Sequence, residues 1–197
     1  MKSRKWCLFD LHDTLVSNNI YMALYQPVIT RLISEKGIGF SRLNSEIERL
    51  KGLSGKSRAD TYDLCESFNA LDIYYQELAR QLERVKTRSD VAKLFDALNE
   101  MGKKIGIVSN SHVKTVRMVL EHHNLIDKVE FIFCREHGGS KDSLSFWNKL
   151  MKKHSLDPDD LLLIDNDEAA IENAQVLGIK TLKVAGPVGF SLIKYIT

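Results

Sequence analysis

Five short apolar runs punctuate the chain, and most of them close on a small or polar residue. They are Trp6-Cys7-Leu8-Phe9 before Asp10, Lys104-Ile105-Gly106-Ile107-Val108 before Ser109, Val129-Glu130-Phe131-Ile132-Phe133-Cys134, Leu161-Leu162-Leu163-Ile164 before Asp165, and Lys180-Thr181-Leu182-Lys183-Val184. Runs this short, with little polar alternation, read as strands buried on both faces of a parallel sheet. Between the later runs the apolar period changes to that of a helix. Val91, Leu94, Phe95 and Leu98 mark one face, stopped by Gly102. Val113, Val116, Val119 and Leu120 mark a second, with Ser111 as its expected N-cap. Leu144, Trp147, Leu150 and Met151 mark a third, and Ile171, Ala174, Val176 and Leu177 a fourth, closed by Gly178. Strands alternating with helices predict an α/β fold with a doubly wound, Rossmann-like parallel sheet.

The stretch from Ser17 to Thr87 breaks this rhythm. It holds no strand pattern, but helical periodicity near Tyr21–Lys36, Ser45–Lys51, Arg58–Ala70 and Tyr74–Val85, through Leu24, Val28, Leu32, Leu64, Phe68 and Leu71. The expected organisation is therefore an α/β core from residues 1–16 and 88–197. Residues 17–87 form an inserted, all-helical cap over the carboxyl edge of the sheet.

Composition narrows the class. The 197 residues are 44% hydrophobic and 27% charged, as in an ordinary globular protein. Lys and Arg number 28 against 26 Asp and Glu, a net charge of +2. That balance argues against a dedicated nucleic-acid binder. No apolar run approaches the ~20 residues that span a bilayer. The basic first residues lack the long apolar segment of a secretory signal. The three cysteines show no CxxC spacing. The expectation is a reduced, cytoplasmic protein, monomeric or homodimeric, with no membrane partner.

Open α/β sheets place their sites at the carboxyl ends of the strands. Here those ends carry Asp10, Ser109 and Asp165, with Lys141 in the loop after the third strand. Two carboxylates, a hydroxyl and an ammonium suit phosphoryl chemistry. A carboxylate can attack phosphorus to form an aspartyl phosphate. A Mg²⁺ held by carboxylate oxygens shields the phosphoryl group from that anionic attacker. The hydroxyl and ammonium stabilise its oxygens. The bland reading of the same residues is capping and loop carboxylates, an N-cap serine and a surface lysine.

Phe9-Asp10-Leu11-His12-Asp13-Thr14-Leu15 resembles the first motif of the haloacid dehalogenase-like hydrolase superfamily, an FD-x-D-[GD]-TL pattern. Ile107-Val108-Ser109-Asn110 resembles the second motif, Lys141 in Gly138-Gly139-Ser140-Lys141 the third, and Leu163-Ile164-Asp165-Asn166 the acidic fourth. The motifs occur in the family's order across nearly the whole chain, and the helical insert resembles the family's C1 cap. The resemblance implies Asp10 as nucleophile, Ser109 and the Asn110 backbone as phosphoryl holders, and Lys141 as the cation pairing Asp10 with the phosphate. It implies Mg²⁺ held by Asp10, the His12 carbonyl, Asp165 and Asn166. The substrate class implied is a small phosphorylated metabolite.

The chain departs from the pattern at His12, where the family's phosphatases carry an Asp that acts as acid and then base. Imidazole can do this work near neutrality, although a neighbouring dication disfavours its protonated form. The fourth motif also lacks a clean second acid, with Asp167 and Glu168 as substitutes. Two alternatives stay open: a metal-independent dehalogenase, and a degenerate member that only binds. Gly55-Lys56-Ser57 matches the tail of a P-loop, but Leu50 stands where the earlier glycine is required. The same turn fits the cap loop facing the site, which makes Lys51, Lys56 and Arg58 candidates for substrate contact. The alternative is a solvated basic turn.

Overall fold

The computed structural model describes residues 5–55 and 57–196. In chain order the elements are β1 (Trp6–Phe9), α1 (Asn19–Ser34), α2 (Phe40–Ser54), α3 (Thr61–Ser67), α4 (Leu71–Glu83), α5 (Ser89–Glu100), β2 (Lys104–Ser109) and α6 (Val113–His122). They continue as β3 (Phe131–Cys134), α7 (Arg135–Gly138), α8 (Leu144–His154), β4 (Leu161–Asp165), α9 (Glu168–Val176), β5 (Lys180–Lys183) and α10 (Ile193–Ile196). Two compact units result, residues 1–17 with 87–197, and residues 18–86.

The first unit is built on a five-stranded sheet, all parallel, in the order β3-β2-β1-β4-β5. This is the α/β, doubly wound class that the alternation of runs and helices predicts. The central strands carry continuous apolar runs because helices cover both faces. Leu8, Phe9, Ile107, Val108, Leu163 and Ile164 are all fully buried. On one face Leu8, Val108, Phe133 and Leu163 pack against Phe146, Trp147 and Leu150 of α8 and Ala170 and Ala174 of α9. Gly106 has no side chain for a local reason: a Cβ there would run into the Phe131 ring.

Two local expectations are corrected. The third strand starts at Phe131, not Val129, because a short 3-10 turn occupies Ile126–Lys128 and the strand pairing with β2 begins at Phe131. Helix α6 begins at Val113 with His112 as N-cap, not Ser111. Its first N–H groups are capped from a distance by the Glu136 carboxylate, 2.9 Å from the Val113 nitrogen.

The second unit is all-helical. Leu24, Val28 and Leu32 of α1, Leu43 of α2, Leu64 of α3, and Leu78 and Leu82 of α4 form its core. Within it Glu77 is 4% exposed and accepts from Arg31 Nη1 at 2.8 Å and Arg80 Nη1 at 2.6 Å. Removing one partner of a buried charged pair leaves the other poorly solvated. Glu77→Ala is therefore expected to cost ~1–3 kcal/mol in urea unfolding. Asp72→Asn, which breaks the more exposed pair with Lys36, is expected to cost under ~0.5 kcal/mol. Equal effects of the two substitutions would contradict this assignment. Among the described residues no helix is long and apolar enough to cross a membrane.

Candidate active site

The sheet order fixes where chemistry can gather. From β1 the chain steps outward to β2 and β3, then returns to the other side of β1 for β4 and β5. The switch point lies between β1 and β4, where such sheets open a crevice at the carboxyl ends of the strands. Phe9 pairs with Ile107 on one side and Ile164 on the other. The next residue, Asp10, is therefore set beside Asp165, and its N–H donates to the Ile164 carbonyl at 3.0 Å.

Lys141 joins the two carboxylates. Its Nζ donates to Asp10 Oδ1 at 2.5 Å and to Asp165 Oδ2 at 2.7 Å. All three side chains are buried. Burial pushes the Asp10 carboxyl above the ordinary carboxylate range, while the Lys141 ammonium, the Leu11 N–H and the Thr14 hydroxyl pull it back. Burial, followed by the Asp10 charge, also raises Asp165. Burial works against the Lys141 ammonium, yet the two carboxylates outweigh it and hold its pKa above that of an ordinary lysine. With all three ionised, the cluster carries one uncompensated negative charge.

The loop carrying Lys141 is held at both ends of the residue. Its N–H donates to Asn110 Oδ1 at 2.7 Å, and its carbonyl accepts from the Trp147 indole at 2.8 Å. The Asn110 side chain is thus turned to the Lys141 loop, where sequence reasoning foresaw only its backbone. Ser109, fully buried at the end of β2, accepts the Ser111 N–H on its Oγ at 3.1 Å. A hydroxyl has one proton to give. The incoming N–H occupies a lone pair of Ser109 and does not use that proton.

The loop after Asp10 turns back on itself through Asp13, whose φ is 54°. The Leu15 and Val16 N–H groups both donate to the Leu11 carbonyl at 3.0 Å. His12 lies in this turn with Nε2 3.5 Å from Ser111 Oγ. Asn166 accepts from the Thr14 hydroxyl at 3.3 Å, which places the fourth-motif amide against the first-motif loop. Thr14, Ser111 and Trp147 are the residues that sequence reasoning missed. Trp147 was legible only as an apolar face position, since nothing in the pattern shows where an indole N–H points.

The donor set fits a small, hard dication. Its ligands would be carboxylate oxygens, which Mg²⁺ prefers, and the excess negative charge is one that a cation relieves. Among the described residues no three His, Cys, Asp or Glu side chains gather into a metal-holding group. A cation at Asp10 and Asp165 would need further ligands, and the His12 carbonyl and Asn166 are the ones that the resemblance implies, with water for the rest.

Lys56, proposed from sequence as a substrate contact, lies outside the described residues. Arg58 belongs to the helical unit, where its guanidinium sits 4.8 Å from the Tyr25 ring centre and Nη1 lies 3.5 Å from the Met22 sulfur. Neighbouring Lys51 pairs with Glu48 at 2.8 Å on the surface of α2.

Solved structures share this architecture. The chain is 21% identical to a HAD phosphatase from Thermococcus onnurineus, with a TM-score of 0.69 over 92% of this chain and 86% of the other. It is 19% identical to the HAD-hydrolase YfnB from Bacillus subtilis bound to magnesium, with a TM-score of 0.59 over 96% and 93%. It is 16% identical to L-2-haloacid dehalogenase from Xanthobacter autotrophicus with chloropropionic acid covalently bound, with a TM-score of 0.60 over 92% and 78%. No curated protein matches the chain by sequence. Residues 7–184 match the family model of haloacid dehalogenase-like hydrolases, a span that runs from β1 past β5 and takes in Asp10, Ser109, Lys141 and Asp165, and on that match the chain belongs to this family.

Proposed function

We propose that the protein is a Mg²⁺-dependent phosphatase of a small phosphomonoester, working through an aspartyl phosphate on Asp10. The observation that carries this reading is the buried ammonium of Lys141 bridging Asp10 and Asp165. It leaves an attacking carboxylate, a second carboxylate and a net negative charge at the crevice of an α/β sheet. The neighbours described as a phosphatase and as magnesium-bound support the same reading by likeness of fold.

In this mechanism the phosphoryl group is received by the Ser109 hydroxyl and the Asn110 N–H. The Lys141 ammonium fixes the Asp10 carboxylate and offsets charge on the phosphoryl oxygens. An Asp10 oxygen bonds to phosphorus as the bond to the leaving oxygen breaks. That oxygen takes a proton, which a protonated His12, two residues after Asp10, would give. Water then attacks phosphorus, releasing inorganic phosphate and restoring the carboxylate. Mg²⁺, held by Asp10, Asp165, the His12 carbonyl and Asn166, would supply positive charge that screens the phosphoryl group. The residues at 18–86 would act as a cap that excludes water. The three cysteines are buried and free, which supports a reducing, cytoplasmic setting.

One observation favours a second reading. With His12 in place of a carboxylic acid, Asp10 could instead attack carbon, as a metal-independent dehalogenase. Metal removal separates the two. Turnover of p-nitrophenyl phosphate is expected to disappear in EDTA and return with added Mg²⁺. Hydrolysis that is indifferent to EDTA would overturn the phosphatase reading.

A further inference from the structure

The loop that carries Asp10 is braced from outside by a single guanidinium. Arg88 stands at the N-terminus of α5, where the chain has just returned from the helical unit. Its Nη1 donates to the Leu15 carbonyl at 2.9 Å, at the far end of the Asp10 loop. Its Nη2 donates to the Val188 carbonyl at 2.5 Å. Its Nε and Nη2 hold both oxygens of Asp90, at 2.9 and 2.8 Å. Its backbone N–H donates to His123 Nδ1 at 3.2 Å, and His123 is only 1% exposed.

Val188 completes a second path. Its N–H donates to the Thr14 carbonyl at 2.7 Å. Thr14 is fully buried, and its hydroxyl, which donates to Asn166 Oδ1, is also among the groups that hold the Asp10 carboxyl down. The loop is thus reached twice, at Leu15 directly and at Thr14 through Val188. A methyl group on Gly189 would overlap Asp90 Oδ2, so the bare glycine lets this strap lie against the Arg88–Asp90 pair. Val188 and Gly189 fall beyond the stretch matched to the family, which ends at residue 184.

Resting on the reading above, we propose that Arg88 is a positioning residue that holds the Asp10 loop in its attacking geometry by clamping Leu15 and the Val188 strap. Arg88 touches no reacting atom. Its three carbonyl and carboxylate partners use the planar, forked geometry that only arginine provides. A lysine could satisfy one partner at a time.

The test compares wild type, Arg88→Met, Arg88→Lys and Gly189→Ala as full-length, metal-free proteins by amide hydrogen exchange. The readouts are the Asp13, Leu15, Val16 and Val188 amides, which bond within the loop or across the strap. Arg88→Met is expected to speed their exchange ~10-fold or more while the β2 and β4 amides keep their protection. Arg88→Lys should fall between. Gly189→Ala, which disturbs the clamp without removing the guanidinium, should give a smaller rise at the same amides. With p-nitrophenyl phosphate and Mg²⁺, Arg88→Met should lower kcat ~10–100-fold and leave KM unchanged, as expected of lost alignment. Unchanged exchange at these amides in Arg88→Met, or in Gly189→Ala if Arg88→Met fails to fold, overturns the proposal. So does kcat equal to wild type in an active preparation. Should wild type itself hydrolyse no phosphomonoester, the phosphatase reading fails, while the exchange arm still decides whether Arg88 holds the loop.

Discussion

Asp10→Asn is expected to lower turnover of any phosphomonoester by at least ~10³-fold, the scale of losing a nucleophile outright. The amide keeps the shape of the side chain but cannot attack phosphorus. The fold should survive, and stability should hold or rise. Asp10 and Asp165 share one ammonium in a buried site, so removing one carboxylate cancels the excess charge and the desolvation that goes with it. Lys141 retains Asp165 as its partner. An inactive protein with an unchanged or raised melting temperature is the expected pair of results. Wild-type turnover in Asp10→Asn would contradict the nucleophile assignment.

The second large effect concerns His12. A correctly placed general acid is worth ~10²–10⁴-fold. His12 sits in the turn that follows Asp10, with its imidazole against the Ser111 hydroxyl, where the family's phosphatases carry a carboxylic acid. Protonation of a poor leaving group is the step most exposed to this substitution. Wild type should therefore hydrolyse an aryl phosphate far better than an alkyl phosphate, because the aryl leaving group needs little protonation. His12→Asp should raise kcat on the alkyl ester, and His12→Ala should lower it further, with smaller changes on the aryl ester. The check is kcat for the three proteins on one ester of each kind. Equal rates for His12→Ala and wild type on both would remove His12 from proton transfer.

Much of the fold is legible in the sequence, because strands buried on both faces cannot alternate with polar residues. Leu161-Leu162-Leu163-Ile164 is such a strand, and the polar residue that closes it, Asp165, stands buried at the carboxyl end where the crevice lies. Asp10, Ser109 and Asp165 are legible for the same reason. The helical insert is legible as a loss of strand pattern, but α2 runs from Phe40 to Ser54, well beyond its expected ends. Only Leu43 of that helix is buried, so most of its length leaves no apolar signature. What the sequence hides is contact between distant residues. Glu136 caps α6, Trp147 fixes the Lys141 carbonyl, and Arg88 reaches Leu15 and Val188. Each is a polar bond across many residues, and hydrophobic period carries no record of it.

A covalent phosphoryl intermediate on Asp10 can be trapped by rapid acid quench during turnover of a labelled phosphoryl donor with Mg²⁺, followed by peptide mapping. Acid-stable, alkali-labile label is expected on the peptide spanning Trp6 to Arg31, located at Asp10 and absent from Asp10→Asn. Turnover with no trapped label, or label that persists in Asp10→Asn, would contradict it.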